Sequence, residues 1–319
     1  MRAMQITALN EPLELREVAR PEPGPGEVRL EVRACGVNFA DTLMVAGRYQ
    51  EKPDLPFSPG LEVCGVVEKL GAGVDGPAIG TRVAAYCGSG GFAEALVVAA
   101  EACVPVPDAM PDAEVAGFLI AYGTSQVGLD YRARLQPGET LLVLGASGGV
   151  GLTAVEIGKL MGATVIGVAR GAEKMEVARA AGADRVFDTD VDLRAEVKAL
   201  GGADVIYDPV GGELAEAALR TCNPEARILP VGFASGMVPQ LPANILLVKN
   251  LTVHGLYWGG YAKLRPSVLA ESFAKLFGWY EAGRLHPHVS HVLPLAEANE
   301  ALDLLRSRKA TGKVVVRID

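Results

Sequence analysis

An α/β protein of two domains, one β-rich and one built on a doubly wound parallel sheet of six strands, is predicted by three features of the 319-residue sequence. Through about residue 108 apolar and charged residues alternate with a period of two. Beyond Glu139 short apolar runs alternate with helical patterns. At the start of this second regime the run Leu141-Leu142-Val143-Leu144 enters the turn Gly145-Ala146-Ser147-Gly148-Gly149-Val150-Gly151, which opens into an apolar helix pattern from Leu152 to Leu160.

Taken in order, Val28, Leu30, Val32 and Ala34 alternate with Arg29, Glu31 and Arg33, as a strand with one buried face requires. Pro21-Glu22-Pro23-Gly24-Pro25-Gly26 and Gly71-Ala72-Gly73 punctuate this region as turns. Around Asp112 the pattern becomes helical. Strands are then expected near 140–145, 164–169, 185–188, 204–208, 226–231 and 251–256, a spacing that suits a doubly wound sheet. The tail predicts helices over 267–282 and 295–306 and a last strand over 312–318. It is surplus to the parallel sheet and is expected to return to the first domain.

The glycine turn predicts a dinucleotide site. Gly148 lets the backbone approach a pyrophosphate, Gly151 lets helix and strand pack closely, and free N–H groups at the helix start receive the phosphates. Ala146 replaces the first glycine of the usual fingerprint. A second apolar strand, Ala163 to Ala169, ends at Arg170, nineteen residues past Gly151, where a ribose-binding carboxylate would stand. A guanidinium there suits a 2′-phosphate, and Lys174 adds a second positive charge, so NADPH is the expected cofactor.

Composition narrows the classes. The length suits two domains, and 50% hydrophobic with 21% charged residues describes a chain able to bury a large core. A net charge of −8 without a basic run argues against nucleic-acid binding. The first residues, Met1-Arg2-Ala3-Met4-Gln5-Ile6-Thr7, lack the apolar core of a signal peptide, and the longest apolar runs are interrupted, so no membrane span and a cytoplasmic location are expected. Five scattered cysteines without a Cys-x-x-Cys pair read as reduced, mostly buried thiols.

With Gly36-Val37-Asn38-Phe39-Ala40-Asp41, Gly47-Arg48-Tyr49, Pro59-Gly60-Leu61-Glu62, Tyr122-Gly123-Thr124, the Gly145–Gly151 turn, Tyr207-Asp208-Pro209-Val210-Gly211-Gly212, Val231-Gly232-Phe233-Ala234 and Lys309-Ala310-Thr311-Gly312-Lys313 in this order, the chain resembles the zinc-independent NADPH:quinone oxidoreductases of the medium-chain dehydrogenase/reductase superfamily. The resemblance runs over nearly the whole length. It implies a GroES-like catalytic domain from residues 1–122 and 262–319, a Rossmann domain over 123–261, an active site in the cleft and a homodimer, with the strand near Leu251–Leu256 as a possible pairing edge.

Zinc enzymes of that superfamily place Cys at the position of Asn38 and His at that of Leu61. Leu61 cannot ligate a metal, so no metal is expected. His286-Pro287-His288-Val289-Ser290-His291 reads as a solvated turn entering a strand. Without a metal to polarise a carbonyl, the acceptor must already be electron-poor, which quinones are. The resemblance assigns Asn38, Asp41, Tyr49 and Thr124 to catalysis: Asn38 and Thr124 beside the nicotinamide and its ribose, Tyr49 orienting or protonating the acceptor oxygen. Helix capping is the alternative for Asn38 and Asp41, and packing for Tyr49. Glu62 is expected to be a buried partner of an arginine. The cofactor is assigned to Asn38, Thr124, Gly148, Gly149, Val150, Gly151, Arg170, Lys174, Val210, Val231, Gly232, Phe233 and Ala234. Asp188 beside a phosphate would oppose NADPH. Two rival functions are reduction of activated C=C bonds with NADPH, as in an enal, enone or enoyl thioester, and NADPH binding without catalysis.

Overall fold

The computed structural model describes residues 1–318. The chain forms two compact units, one from Met1–Ile120 together with Pro287 onward, the other Ala121–His286.

The first unit is β-rich. Its strands are β1 (Arg2–Gln5), β2 (Glu14–Glu17), β3 (Glu27–Val37), β4 (Glu62–Leu70), β5 (Arg82–Tyr86), β6 (Ala95–Ala99) and β7 (Cys103–Pro105), with helices α1 (Phe39–Val45) and α2 (Asp112–Ala116). The alternation in β3 does what its pattern predicts: Val28, Leu30 and Val32 are buried while Arg33 is exposed. Their burial joins Met4, Val63, Phe92 and Val316 in one core.

In the second unit α3 (Leu119–Gln126), which begins at the unit boundary, is followed by β8 (Thr140–Leu144), α4 (Gly149–Leu160), β9 (Thr164–Val168), α5 (Ala172–Ala180), β10 (Arg185–Phe187), α6 (Leu193–Ala199), β11 (Ala203–Asp208), α7 (Gly212–Leu219), β12 (Cys222–Pro230), α8 (Ala243–Lys249), β13 (Thr252–Val253), α9 (Tyr261–Leu264) and α10 (Pro266–Glu281). Among the described residues six of these strands form a parallel sheet in the order β10-β9-β8-β11-β12-β13. The chain leaves β8 toward β9 and β10, then returns to β11 on its other side, so the order reverses at β8/β11. Ligands of such sheets lie outside the carboxyl ends of the strands at that reversal. Both faces are covered, and Leu142, Ile166, Ile206 and Ile228 are buried in register.

The tail supplies β14 (Val289–Pro294), α11 (Ala298–Arg306) and β15 (Lys313–Arg317), and β15 pairs antiparallel with β3, so the expected return to the first unit is met. The boundaries differ from the expected 122/123 and 261/262. They fall after Ile120 and after His286, because α9 and α10 belong to the second unit: Phe273 meets Trp258 edge-on at 6.1 Å, Arg265 donates to the Tyr131 hydroxyl at 2.6 Å and Lys275 pairs with Asp130 at 2.7 Å. The last parallel strand is also shorter than 251–256, since after Val253 only the His254 N–H still reaches Ile228 O, at 2.8 Å, before Gly255.

Candidate functional site

In the second unit the residues expected to hold a dinucleotide converge on the carboxyl ends of adjacent strands. The turn after β8 requires its glycines. Gly145 has a φ of +60°, and a Cβ on Gly151 would lie 2.1 Å from the Gly145 carbonyl oxygen, so only glycine lets α4 start this close to β8. A Cβ on Gly148 would meet nothing nearer than that same oxygen at 3.4 Å, which leaves the approach open for a ligand. Gly148 is the N-cap of α4, and no side chain caps the helix, so the N–H groups of Gly149, Val150 and Gly151 face outward from its start.

Neighbouring strand ends complete this rim. After β11, Asp208 accepts the backbone N–H groups of Val210 and Gly211, both at 2.8 Å, and fixes the loop carrying Val210. Burial pushes the Asp208 carboxyl up, against those two donors. After β12, Val231 and Gly232 donate to Asp208 O, Ala234 to Pro209 O at 3.1 Å, and Phe233 is left 40% exposed. Beyond β9, Arg170 is exposed and Lys174 lies half-buried in the first turn of α5. Asp188 accepts the Gly171 N–H at 2.9 Å and the Thr189 N–H at 2.6 Å, which hold its carboxylate below the usual range. Asp188 thus braces the backbone that carries Arg170.

Thr124 is buried on α3. Its neighbour Ser125, which the sequence reading did not single out, ties α3 to α4 through Val150 O at 2.9 Å and Thr153 Oγ1 at 2.8 Å, and to β11 through the Tyr207 hydroxyl at 2.9 Å.

The first unit gathers its candidates in a buried polar cluster. Asn38 is the N-cap of α1, and Asp41 in the first turn accepts the Asn38 N–H at 2.7 Å and the Gly60 N–H at 2.8 Å. With both oxygens engaged and no exposed surface, Asp41 holds the backbone of Asn38 and Gly60. Burial raises its carboxyl to about 7, against the pull of those two donors. Glu62 pairs with a lysine, not with the expected arginine: Lys313 Nζ lies 2.9 Å from Glu62 Oε1, 2.8 Å from Asn38 Oδ1 and 3.1 Å from Val37 O. Asn38 Nδ2 donates to Glu62 Oε1 at 3.1 Å and to Gly36 O at 3.2 Å. Lys313 entered the sequence reading only as the last residue of the motif Lys309-Ala310-Thr311-Gly312-Lys313 and was given no role, because a lysine is rarely buried unless it is paired and its partners lie far away in the chain.

Tyr49, in the loop after α1, is half-buried with its ring on the core. The histidines diverge: the His286 ring lies 3.3 Å from Glu156, His288 meets Thr311 at 3.0 Å, and His291 meets Ser290 at 2.9 Å. Among the described residues no group of three or more His, Cys, Asp or Glu side chains is arranged to hold a metal ion, and no helix is long and apolar enough to cross a membrane. The thiols are unpaired and mostly buried, and burial raises Cys222 to about 11 and Cys103 to about 12.

Residues 24–108 match the alcohol dehydrogenase GroES-like domain and residues 149–274 the zinc-binding dehydrogenase domain. A quinone oxidoreductase-like protein 2 homolog from Nematostella vectensis is 41% identical, the match covering 99% of this chain and 88% of that protein. A quinone oxidoreductase from Pseudomonas aeruginosa is 35% identical over 96% of this chain and 95% of its own length. Among solved structures, the quinone oxidoreductase of Thermus thermophilus, described also in complex with NADPH, superposes with a TM-score of 0.89 at 35% identity, covering 99% of this chain and all of that one.

Proposed function

Since this chain belongs to the quinone oxidoreductase family of the medium-chain dehydrogenase/reductase superfamily, we propose that it reduces quinones with NADPH, by direct hydride transfer without a metal. The carrying observation is the donor set of the first unit. Leu61 is a buried hydrocarbon, and Glu62 Oε1 is shared between the Lys313 ammonium and the Asn38 amide, so this carboxylate is already neutralised and, among the described residues, no set of three metal ligands stands beside it. A reaction without a Lewis acid demands an acceptor that takes a hydride unaided, and a quinone does so.

When bound, the reduced nicotinamide supplies the hydride. The residues present fit such a cofactor: the α4 N-terminus is uncapped, and the space before Gly148 is open. Gly149, Val150 and Gly151 bind the pyrophosphate through their N–H groups, with Gly148 giving it access. Arg170 and Lys174 bind the 2′-phosphate. Val210 and Val231 to Ala234 line the nicotinamide half, Thr124 and Asn38 serve the nicotinamide and its ribose, and Tyr49 orients the acceptor oxygen. Asp41 holds the Asn38 backbone in place. We further place the protein in the cytoplasm as a homodimer. The exposed Leu247 and Val248 on α8, which leads into the edge strand β13, support the pairing surface.

Steady-state rates with a panel of quinones, enals and enoyl thioesters, each with NADPH and NADH, test the reading. Quinones with NADPH are expected to give the highest kcat/KM. Preference for enals or thioesters would move the protein to C=C reduction, and no turnover with any acceptor would make it a binding protein.

A further inference from the structure

We propose that Lys313 is a positioning residue for this reaction: it sets which way the Asn38 amide faces, and so makes Asn38 a hydrogen-bond acceptor toward its ligand. The inference rests on the reading that Asn38 serves the hydride-transfer site.

An ammonium only donates, so the Asn38 atom 2.8 Å from Lys313 Nζ must be the oxygen. A terminal amide has two nearly isosteric orientations, and this contact selects one of them. Nδ2 is then turned inward, its two protons spent on Glu62 Oε1 and Gly36 O. Lys313 spends its own three protons on Asn38 Oδ1, Glu62 Oε1 and Val37 O. The second Glu62 oxygen accepts the Ile120 N–H at 2.9 Å. With both Nδ2 protons spent, what the Asn38 amide has left to offer a ligand is Oδ1, an acceptor that also faces the Asp41 backbone in the capping box at the start of α1. That atom receives an N–H or O–H, such as a carboxamide N–H or a ribose hydroxyl, and has no proton to give to a reduced acceptor.

The arrangement is built for the lysine. A Cβ on Gly117 would stand 3.1 Å from Lys313 Cγ and 3.2 Å from its Cε, so this glycine makes the channel for the aliphatic stem. A Cβ on Gly36 would meet Glu62 Oε1 at 2.9 Å and the Ala116 carbonyl oxygen at 2.2 Å, so this glycine makes room for the carboxylate. A buried ion pair is a poor source of stability compared with packed hydrocarbon, and its attested use is to impose one arrangement among several.

A double-mutant cycle tests the coupling. Wild type, Lys313→Met, Asn38→Ala and the double variant are assayed for NADPH dissociation constant and quinone kinetics, with kcat expressed per NADPH-binding site so that loss of folded protein does not mimic an effect. Each single variant is expected to lose about tenfold or more in kcat with quinone KM within about twofold, and the double variant to fall no further than the lower single. Losses that multiply in the double variant would overturn the inference while leaving Asn38 in the site. A wild-type rate for Asn38→Ala would instead overturn the reading of Asn38 itself. Because Lys313→Met strands a buried carboxylate, Lys313→Met combined with Glu62→Gln removes both charges and preserves packing; it is expected to show the same kcat loss, and a wild-type kcat there would equally refute the role.

Discussion

Arg170 reaches solvent at the end of β9, on a backbone braced by Asp188, and a planar fork there forms two parallel charge-assisted hydrogen bonds to a phosphate. Arg170→Ala is expected to weaken NADPH by about 1.5–3 kcal/mol, roughly ten- to over a hundredfold, and to leave NADH nearly unchanged. Dissociation constants for both cofactors at one salt concentration check this; equal loss of both would remove Arg170 as the selector. Asp41 carries a pH signature. Its folded carboxyl titrates near 7, above an unfolded value near 4, so between those values the folded chain holds a proton that the unfolded chain has released. Its contribution to stability is therefore fully present below about pH 4 and is lost as pH rises through 7, on the order of 4 kcal/mol. Unfolding free energies of wild type and Asp41→Asn are expected to diverge across that window and run parallel above it; parallel curves throughout would show that Asp41 titrates in the folded chain as it does in the unfolded one. The role proposed for Arg170 could be read from the sequence because it depends on a count along the chain. That of Lys313 could not, because its partners Asn38 and Glu62 are more than 250 residues away.

At the scale of elements, the turn from β8 into α4 is the most constrained junction. Gly151→Ala puts a methyl where the Gly145 carbonyl oxygen stands at 2.1 Å, and backbone must move. We expect a loss of about 1–3 kcal/mol in stability together with weaker NADPH binding, read by denaturant unfolding and cofactor titration. Unchanged values in both would mean that this close approach is not required. The central strands β8, β9 and β11 were legible because each is an apolar run buried over nearly its whole length, whereas the end of β13 was not. An edge strand stops where its single neighbour stops pairing, and that register is a tertiary fact.

For the whole molecule two outcomes are expected. Purified protein should contain far less than about one zinc per chain and keep its activity after chelation; stoichiometric zinc whose removal abolishes activity would overturn the metal-free reading. Sedimentation should give the mass of two chains, and Leu247→Glu with Val248→Glu should shift it to one, since both side chains are more than 70% exposed beside the sheet edge. A monomeric wild type would refute the dimer. The sequence by itself determined the two-domain α/β class, the glycine turn, the family and the return of the tail, because periodicity, turn chemistry and motif order are properties of neighbours along the chain. Tertiary structure decided that α9 and α10 belong to the second unit, that Glu62 is paired with Lys313, and that Asp41 braces backbone, because each depends on which distant surfaces become buried together, and only burial decides whether a charge must find a partner.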